Sequence, residues 1–217
     1  MELLVVTLAH TTPDTDADGL SHIRFVLGSV RNAPGLVSIR SYSSREEDGY
    51  YLTLVTWEDE EYWQKAQERY NPKRLLMSSA PDLLISPPKQ WLMHYLWGYR
   101  RPAAQPVLMA AHVASVRADQ ADYARRGWIE ALRRQVVQPT LALSSALLAR
   151  GVEEEVSTVP SDKATEDSST PGSIFLNLLS WPDESSREEF YVDQDYQGIN
   201  RFVSSVGVVQ IIPLEPI

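Results

Sequence analysis

Apolar and polar positions along this chain fall into one order of elements that runs through it twice. In the first half, Glu2 to Ala9 is a run rich in Leu and Val and predicts a strand. A turn-rich stretch, Thr11 to Asp18, separates it from a helix over Gly19 to Arg31, where Leu20, Ile23, Val26, Leu27 and Val30 recur at helical spacing. Asn32-Ala33-Pro34-Gly35 stops that helix. Strands follow at Leu36 to Tyr42 and Tyr50 to Trp57, then a helix carrying Tyr62, Trp63, Ala66 and Tyr70, then a strand over Trp91 to Tyr99.

The second half repeats the order. Pro106 to Ser115 reads as a strand, Ala118 to Val137 as a helix, Thr140 to Leu148 and Ile174 to Trp181 as strands. Glu184 to Val203 reads as mostly helix and Val206 to Leu214 as the closing strand. Between them, Glu153 to Gly172 is rich in Ser, Thr, Asp, Glu and Pro and has almost nothing to bury, so it predicts a flexible, dispensable loop. The clearest sign of duplication is local. Tyr51 to Trp57 followed by Glu58-Asp59 returns as Ile174 to Trp181 followed by Pro182-Asp183: an apolar strand ending in Trp, then an acidic helix start. Each half is expected to be a four-stranded antiparallel sheet with both helices on one face, a ferredoxin-like unit. The units span 1–101 and 102–217, joined near Arg100-Arg101-Pro102, with the two sheets facing each other and closing toward a barrel.

Composition narrows the partners more than the chemistry. A formal net charge of −9 and a pI of about 4.9 argue against nucleic acid or an anionic membrane surface as main partner. Cysteine is absent, which excludes disulfides and thiol catalysis. The N-terminal apolar run lacks a basic region before it, so it is read as a first strand and a cytoplasmic location is expected. Glycine-rich phosphate loops, dinucleotide fingerprints and nucleophile elbows are all missing. The four histidines, His10, His22, His94 and His112, have no metal-site spacing, so neither a metal nor any other cofactor is expected.

Two residues interrupt otherwise apolar strands. His112 is in phase with Leu108 and Ala110, and a buried imidazole there must find a partner or a cavity. Asn177 lies between Phe175 and Leu179, in phase with Trp181, and corresponds by the repeat to Thr53. Since the first and third strands of a ferredoxin-like unit are neighbours, the two can share one face and act as base and amide donor. A satisfied core histidine and a loop-bonded asparagine are the plain structural alternatives. In the first half, Trp91, Met93, Tyr95 and Trp97 alternate into an aromatic stripe opposite His94, the lining of an apolar pocket or simply core. The candidate catalytic residues are thus His112 and Asn177, and the candidate substrate-binding residues Trp181, Tyr51, His94, Tyr95 and Trp97.

The run Leu178-Leu179-Ser180-Trp181-Pro182-Asp183, followed by Phe190, Tyr196 and Phe202, resembles the dimeric α/β-barrel superfamily, in particular antibiotic-biosynthesis monooxygenase-like domains. The first half resembles them more loosely through Trp57, Trp63 and Tyr70. The resemblance implies tandem domains and a small apolar or aromatic substrate; a homodimer is compatible with it. It also implies a His–Tyr base on a strand, as in family cyclases, or an Asn–Trp pair holding an enolate or peroxide, as in family monooxygenases. The leading expectation is a cofactor-free enzyme of secondary metabolism. It would cyclise, dehydrate or isomerise a polyketide-like or terpenoid-like substrate by proton transfer. The rivals are a cofactor-independent monooxygenase and a non-enzymatic binding or stress protein.

Overall fold

The computed structural model describes residues 1–12, 16–46, 49–102, 105–137, 143–153 and 172–217. The first half contributes β1 (Leu3–His10), α1 (Asp16–Val30), β2 (Leu36–Ser44), β3 (Tyr50–Trp57), α2 (Glu60–Tyr70), α3 (Pro72–Ser79) and β4 (Lys89–Arg100). The second contributes β5 (Leu108–Val116), α4 (Ala121–Val137), β6 (Ser145–Glu153), β7 (Ser173–Trp181), α5 (Glu184–Val192), α6 (Gln194–Val206) and β8 (Gly207–Pro216). All strand pairs are antiparallel, and the strands close into a barrel in the order β1-β3-β2-β8-β5-β7-β6-β4. Two ferredoxin-like sheets, β4-β1-β3-β2 and β8-β5-β7-β6, are therefore fused at both edges.

Strand alternation sorts the core into three layers. Leu4, Val6, Leu52, Leu54, Trp91, Met93, Ala111, Leu176 and Ile212 pack inside the barrel. Leu3, Val5, Val55 and Trp57 point outward to Ile23, Val26 and Val30 of α1 and Trp63 of α2. Ala110, Ala114, Phe175, Leu179 and Trp181 meet Trp128 and Leu132 of α4, Phe190 of α5 and Tyr196 and Val203 of α6. β1 and β7 are buried on both faces, which is why they read as unbroken apolar runs rather than alternating ones. Each fully buried large side chain contributes roughly 1.5–3 kcal/mol.

The repeated acidic start after each Trp is a capping signal. The Asp59 carboxylate accepts the Tyr62 N–H (3.0 Å) at the head of α2, and Asp183 accepts the Ser186 N–H (2.8 Å) at the head of α5. Gly35, at φ 78°, makes the turn into β2; a Cβ there would stand 2.2 Å from the Tyr62 ring.

Several boundaries differ from the sequence expectation, and three of them matter for the packing. β6 runs from Ser145 to Glu153 instead of Thr140 to Leu148, because long β4 pairs with it as far as Trp91↔Glu153. Glycine at 151 lets the ladder continue, since a Cβ there would sit 2.0 Å from the Leu92 carbonyl. The expected single helix Glu184 to Val203 is two helices: Asp193 leaves α5 extended and caps α6 by accepting the Tyr196 N–H (2.9 Å). Ala118–Gln120 is a 3-10 turn ahead of α4. Of the expected flexible loop Glu153 to Gly172, residues 154–171 lie outside the described residues.

Candidate functional site

His112 and Asn177 are direct cross-strand partners in the β5–β7 ladder. Both lie on the outward face, under α5 and α6, and both are fully buried, at 1% and 0% exposure. The His112 ring is held at both nitrogens. Nε2 is 2.8 Å from the Tyr191 hydroxyl of α5 and Nδ1 is 2.9 Å from the Tyr196 hydroxyl of α6. The break at Asp193 makes this grip: it turns the chain between Tyr191 and Tyr196 so that both hydroxyls reach one ring.

Burial lowers the His112 pKa from its ordinary value to about 4, so the ring is neutral near pH 7, with one N–H donor and one acceptor nitrogen. Burial likewise pushes Tyr191 up to about 12, with the Arg187 charge opposing it, and raises Tyr196 well above its usual range. Both phenols are therefore protonated. The three side chains form a continuous neutral hydrogen-bonded chain, Tyr191–His112–Tyr196, and half-buried Tyr191 is its end nearest solvent.

Asn177 contrasts with this. Among the described residues neither its amide nitrogen nor its amide oxygen has a hydrogen-bond partner, although the residue is completely enclosed. A buried amide without protein partners is costly, and both its donor and acceptor groups are free to bond a water or a ligand atom. Trp181 stands on the same face, 5.5 Å from Phe190 and 5.6 Å from Tyr191 between ring centres, and walls the cluster.

The remaining sequence candidates are elsewhere. Tyr51 is buried in the first half's helix layer, close to Gly19 of α1. His94 is exposed on the outer face of β4. The aromatic stripe of β4 is split: Trp91 and Met93 fill the barrel, and a bulge between Tyr95 and Trp97 sends Trp97 against the second half's helix layer. Tyr95 and Trp97 both line a cavity at one mouth of the barrel, and the Tyr95 hydroxyl is 2.9 Å from that of Thr56. His112, Asn177 and Trp181 are thus brought together, whereas Tyr51, His94, Tyr95 and Trp97 are not part of that cluster. Tyr191 and Tyr196 complete the cluster but are not among the site residues expected from the sequence, where Tyr196 enters only through the family resemblance.

No protein-family model and no curated protein matches the chain. Solved structures do. The chain aligns over its full length with 91% of an anthrone oxidase-like protein, at TM-score 0.74 and 11% identity. It aligns over 99% of its length with 92% of a candidate monooxygenase from Fusobacterium nucleatum, at TM-score 0.65 and 8% identity. A candidate monooxygenase from Lactobacillus acidophilus NCFM matches over 99% of this chain and 93% of that one, at TM-score 0.60 and 6% identity. At such identities what is shared is the fold: a dimeric α/β barrel with both ferredoxin-like halves on one chain. None of the described helices is long and apolar enough to cross a membrane.

Proposed function

We propose that this chain is an enzyme that moves a proton on a small apolar substrate, of polyketide-like or terpenoid-like chemistry, in the second half. One observation supports the reading: a neutral, enclosed histidine bonded at both nitrogens to tyrosine hydroxyls, beside a fully buried asparagine with no hydrogen-bond partner among the described residues. In the tautomer that suits the task, Nδ1–H donates to Tyr196 and the Tyr191 O–H donates to Nε2. A substrate C–H next to a carbonyl gives its proton to the Tyr191 oxygen as the Tyr191 proton passes to Nε2. The products are an enolate and an imidazolium. In this reading the Asn177 N–H groups donate to the enolate oxygen. Return of the proton at another carbon completes an isomerisation, and loss of a leaving group completes a dehydration or cyclisation.

With a pKa of about 4, charging His112 at pH 7 costs about 4 kcal/mol in the empty site. The enolate formed beside it offsets that cost, because opposite charges attract strongly where water is excluded. Proton transfer is thereby tied to productive binding.

A second reading is favoured by the description of structural neighbours as monooxygenases. The same proton removal would give a carbanion that dioxygen then attacks. Deuterium exchange at the α-carbon of 2-tetralone in D2O, followed by NMR, tests the shared step. Wild-type protein should accelerate exchange and His112→Ala should not. Exchange that survives in His112→Ala would refute the assignment. Turnover that requires dioxygen uptake would select the monooxygenase, and no catalysis of any carbonyl substrate would leave a binding protein.

A further inference from the structure

The mouth of the barrel holds a second site that the proton relay does not use. A cavity of about 880 Å³ opens there, at the upper end of the size range for small-molecule pockets. It exists because the β2–β8 seam is offset. β2 and β8 pair at only three positions, from Tyr42↔Pro216 to Ser44↔Leu214, so the first part of β2 overshoots the end of β8. The opposite seam, β4–β6, pairs along its whole length from Trp91↔Glu153 to Arg100↔Ser145.

The lining is specific in charge. Arg31, Arg40 and Arg100 border the cavity, as does Ile217, the last residue of the sequence, and among the described residues no Asp or Glu side chain does. None of the three is in an ion pair among the described residues. All three are exposed, and in a chain of net charge −9 they make a local reversal of sign that attracts anions. Deeper in, Ser144 lines the cavity with a hydroxyl that is buried and has no hydrogen-bond partner among the described residues. Tyr95 and Trp97 supply flat apolar walls. The cavity is separate from the His112 cluster because β7 lies between them. Leu178 and Ser180 point into the mouth, while their neighbours Asn177 and Trp181 point to the helices.

We infer that this mouth binds an anionic small molecule with a flat apolar body, an aromatic or polycyclic carboxylate. The guanidinium groups hold the carboxylate at the rim and the rings pack against Tyr95 and Trp97. Arg40 is suited to the carboxylate because it comes from the overshooting part of β2 and lies beside the Tyr42 hydroxyl.

Fluorescence titration of the full chain with pyrenebutyrate and with pyrenebutanol, which share a body and differ in charge, tests this. The acid should bind saturably and about tenfold or more tighter than the alcohol, as expected for charge-assisted hydrogen bonds. Arg40→Gln and Arg100→Gln should each weaken the acid about tenfold and leave the alcohol unchanged. His112→Gln should change neither titration, which keeps the result independent of the proton-transfer reading. Equal affinity for acid and alcohol, no saturable binding of the acid, or Arg variants that bind as wild type would each overturn the inference.

Discussion

The two helix layers of this barrel start from the same plan and end in opposite chemistry. Register makes the comparison residue by residue: Thr7 faces Thr53 across β1–β3 as His112 faces Asn177 across β5–β7. In the first half the polar pair is tied into scaffolding. Gln90 donates to both Thr7 (3.0 Å) and Asn71 (3.0 Å), Asn71 caps α3, and Thr53 bonds to Ser41 (3.0 Å). None of those side chains titrates, so this network can hold shape but cannot carry a proton. Trp63 closes the layer, 5.6 Å from Trp57. In the second half the corresponding helices bring tyrosines to a histidine and leave an amide without a partner among the described residues. The contrast is one of chemistry and not of complete pairing, since Gln90 Oε1 also lacks a partner among the described residues: one copy joins amides and hydroxyls, the other joins groups that can pass a proton.

The largest expected effect tests that asymmetry directly. His112→Ala should lower proton-transfer activity by at least about a hundredfold, and Tyr191→Phe by a similar factor, whereas Thr7→Ala should leave it within about twofold. Equal losses in both halves would end the comparison. Truncating the matched tryptophans should instead show the halves as equals in packing. Trp57→Ala and Trp181→Ala, both fully buried, should each cost about 3–5 kcal/mol in urea unfolding.

Acid should separate the halves again. The folded pKa of His112 is depressed to about 4, below the unfolded value near 6.5, so the unfolded chain binds its proton first as pH falls. Its contribution is complete above pH 6.5 and is lost progressively between 6.5 and 4. Wild type should lose about 2 kcal/mol more stability than His112→Gln between pH 6.5 and 5. An identical pH dependence in the two proteins would show that His112 is not buried neutral. The smallest effect concerns the shared caps: Asp59→Ala and Asp183→Ala should each cost about 1 kcal/mol, and by similar amounts.

Much of this was legible in the chain because duplication and alternation are local signals. The Trp-then-Asp echo gave the strand ends and helix caps, and His112 and Asn177 stood out as polar breaks in apolar strands whose register then made them neighbours. What was hidden depends on distant partners. The course of β6 is set by pairing with β4, including a glycine that fits only because Leu92 lies opposite. Tyr191 and Tyr196 look like ordinary members of one amphipathic helix until Asp193 is seen to break it. Arg31 just past α1, Arg40 of β2 and Arg100 of β4 are far apart in sequence, and no spacing along the chain foretells that they border one cavity.

The offset seam also bears on how the protein behaves in a bottle. Where β8 runs on beyond its three pairings with β2, one edge of it faces no strand among the described residues, and Val208 and Ile211 are exposed there at 72% and 49%. Such an edge is a template for another chain, held off mainly by mutual repulsion between acidic molecules. Near the pI of about 4.9 that repulsion vanishes, in the same pH range where the buried histidine begins to favour unfolding. Turbidity should therefore rise steeply around pH 5, and Val208→Lys, which puts a charge on the edge, should delay it. Protein that clouds equally with and without that lysine would place the sticking point elsewhere on the surface.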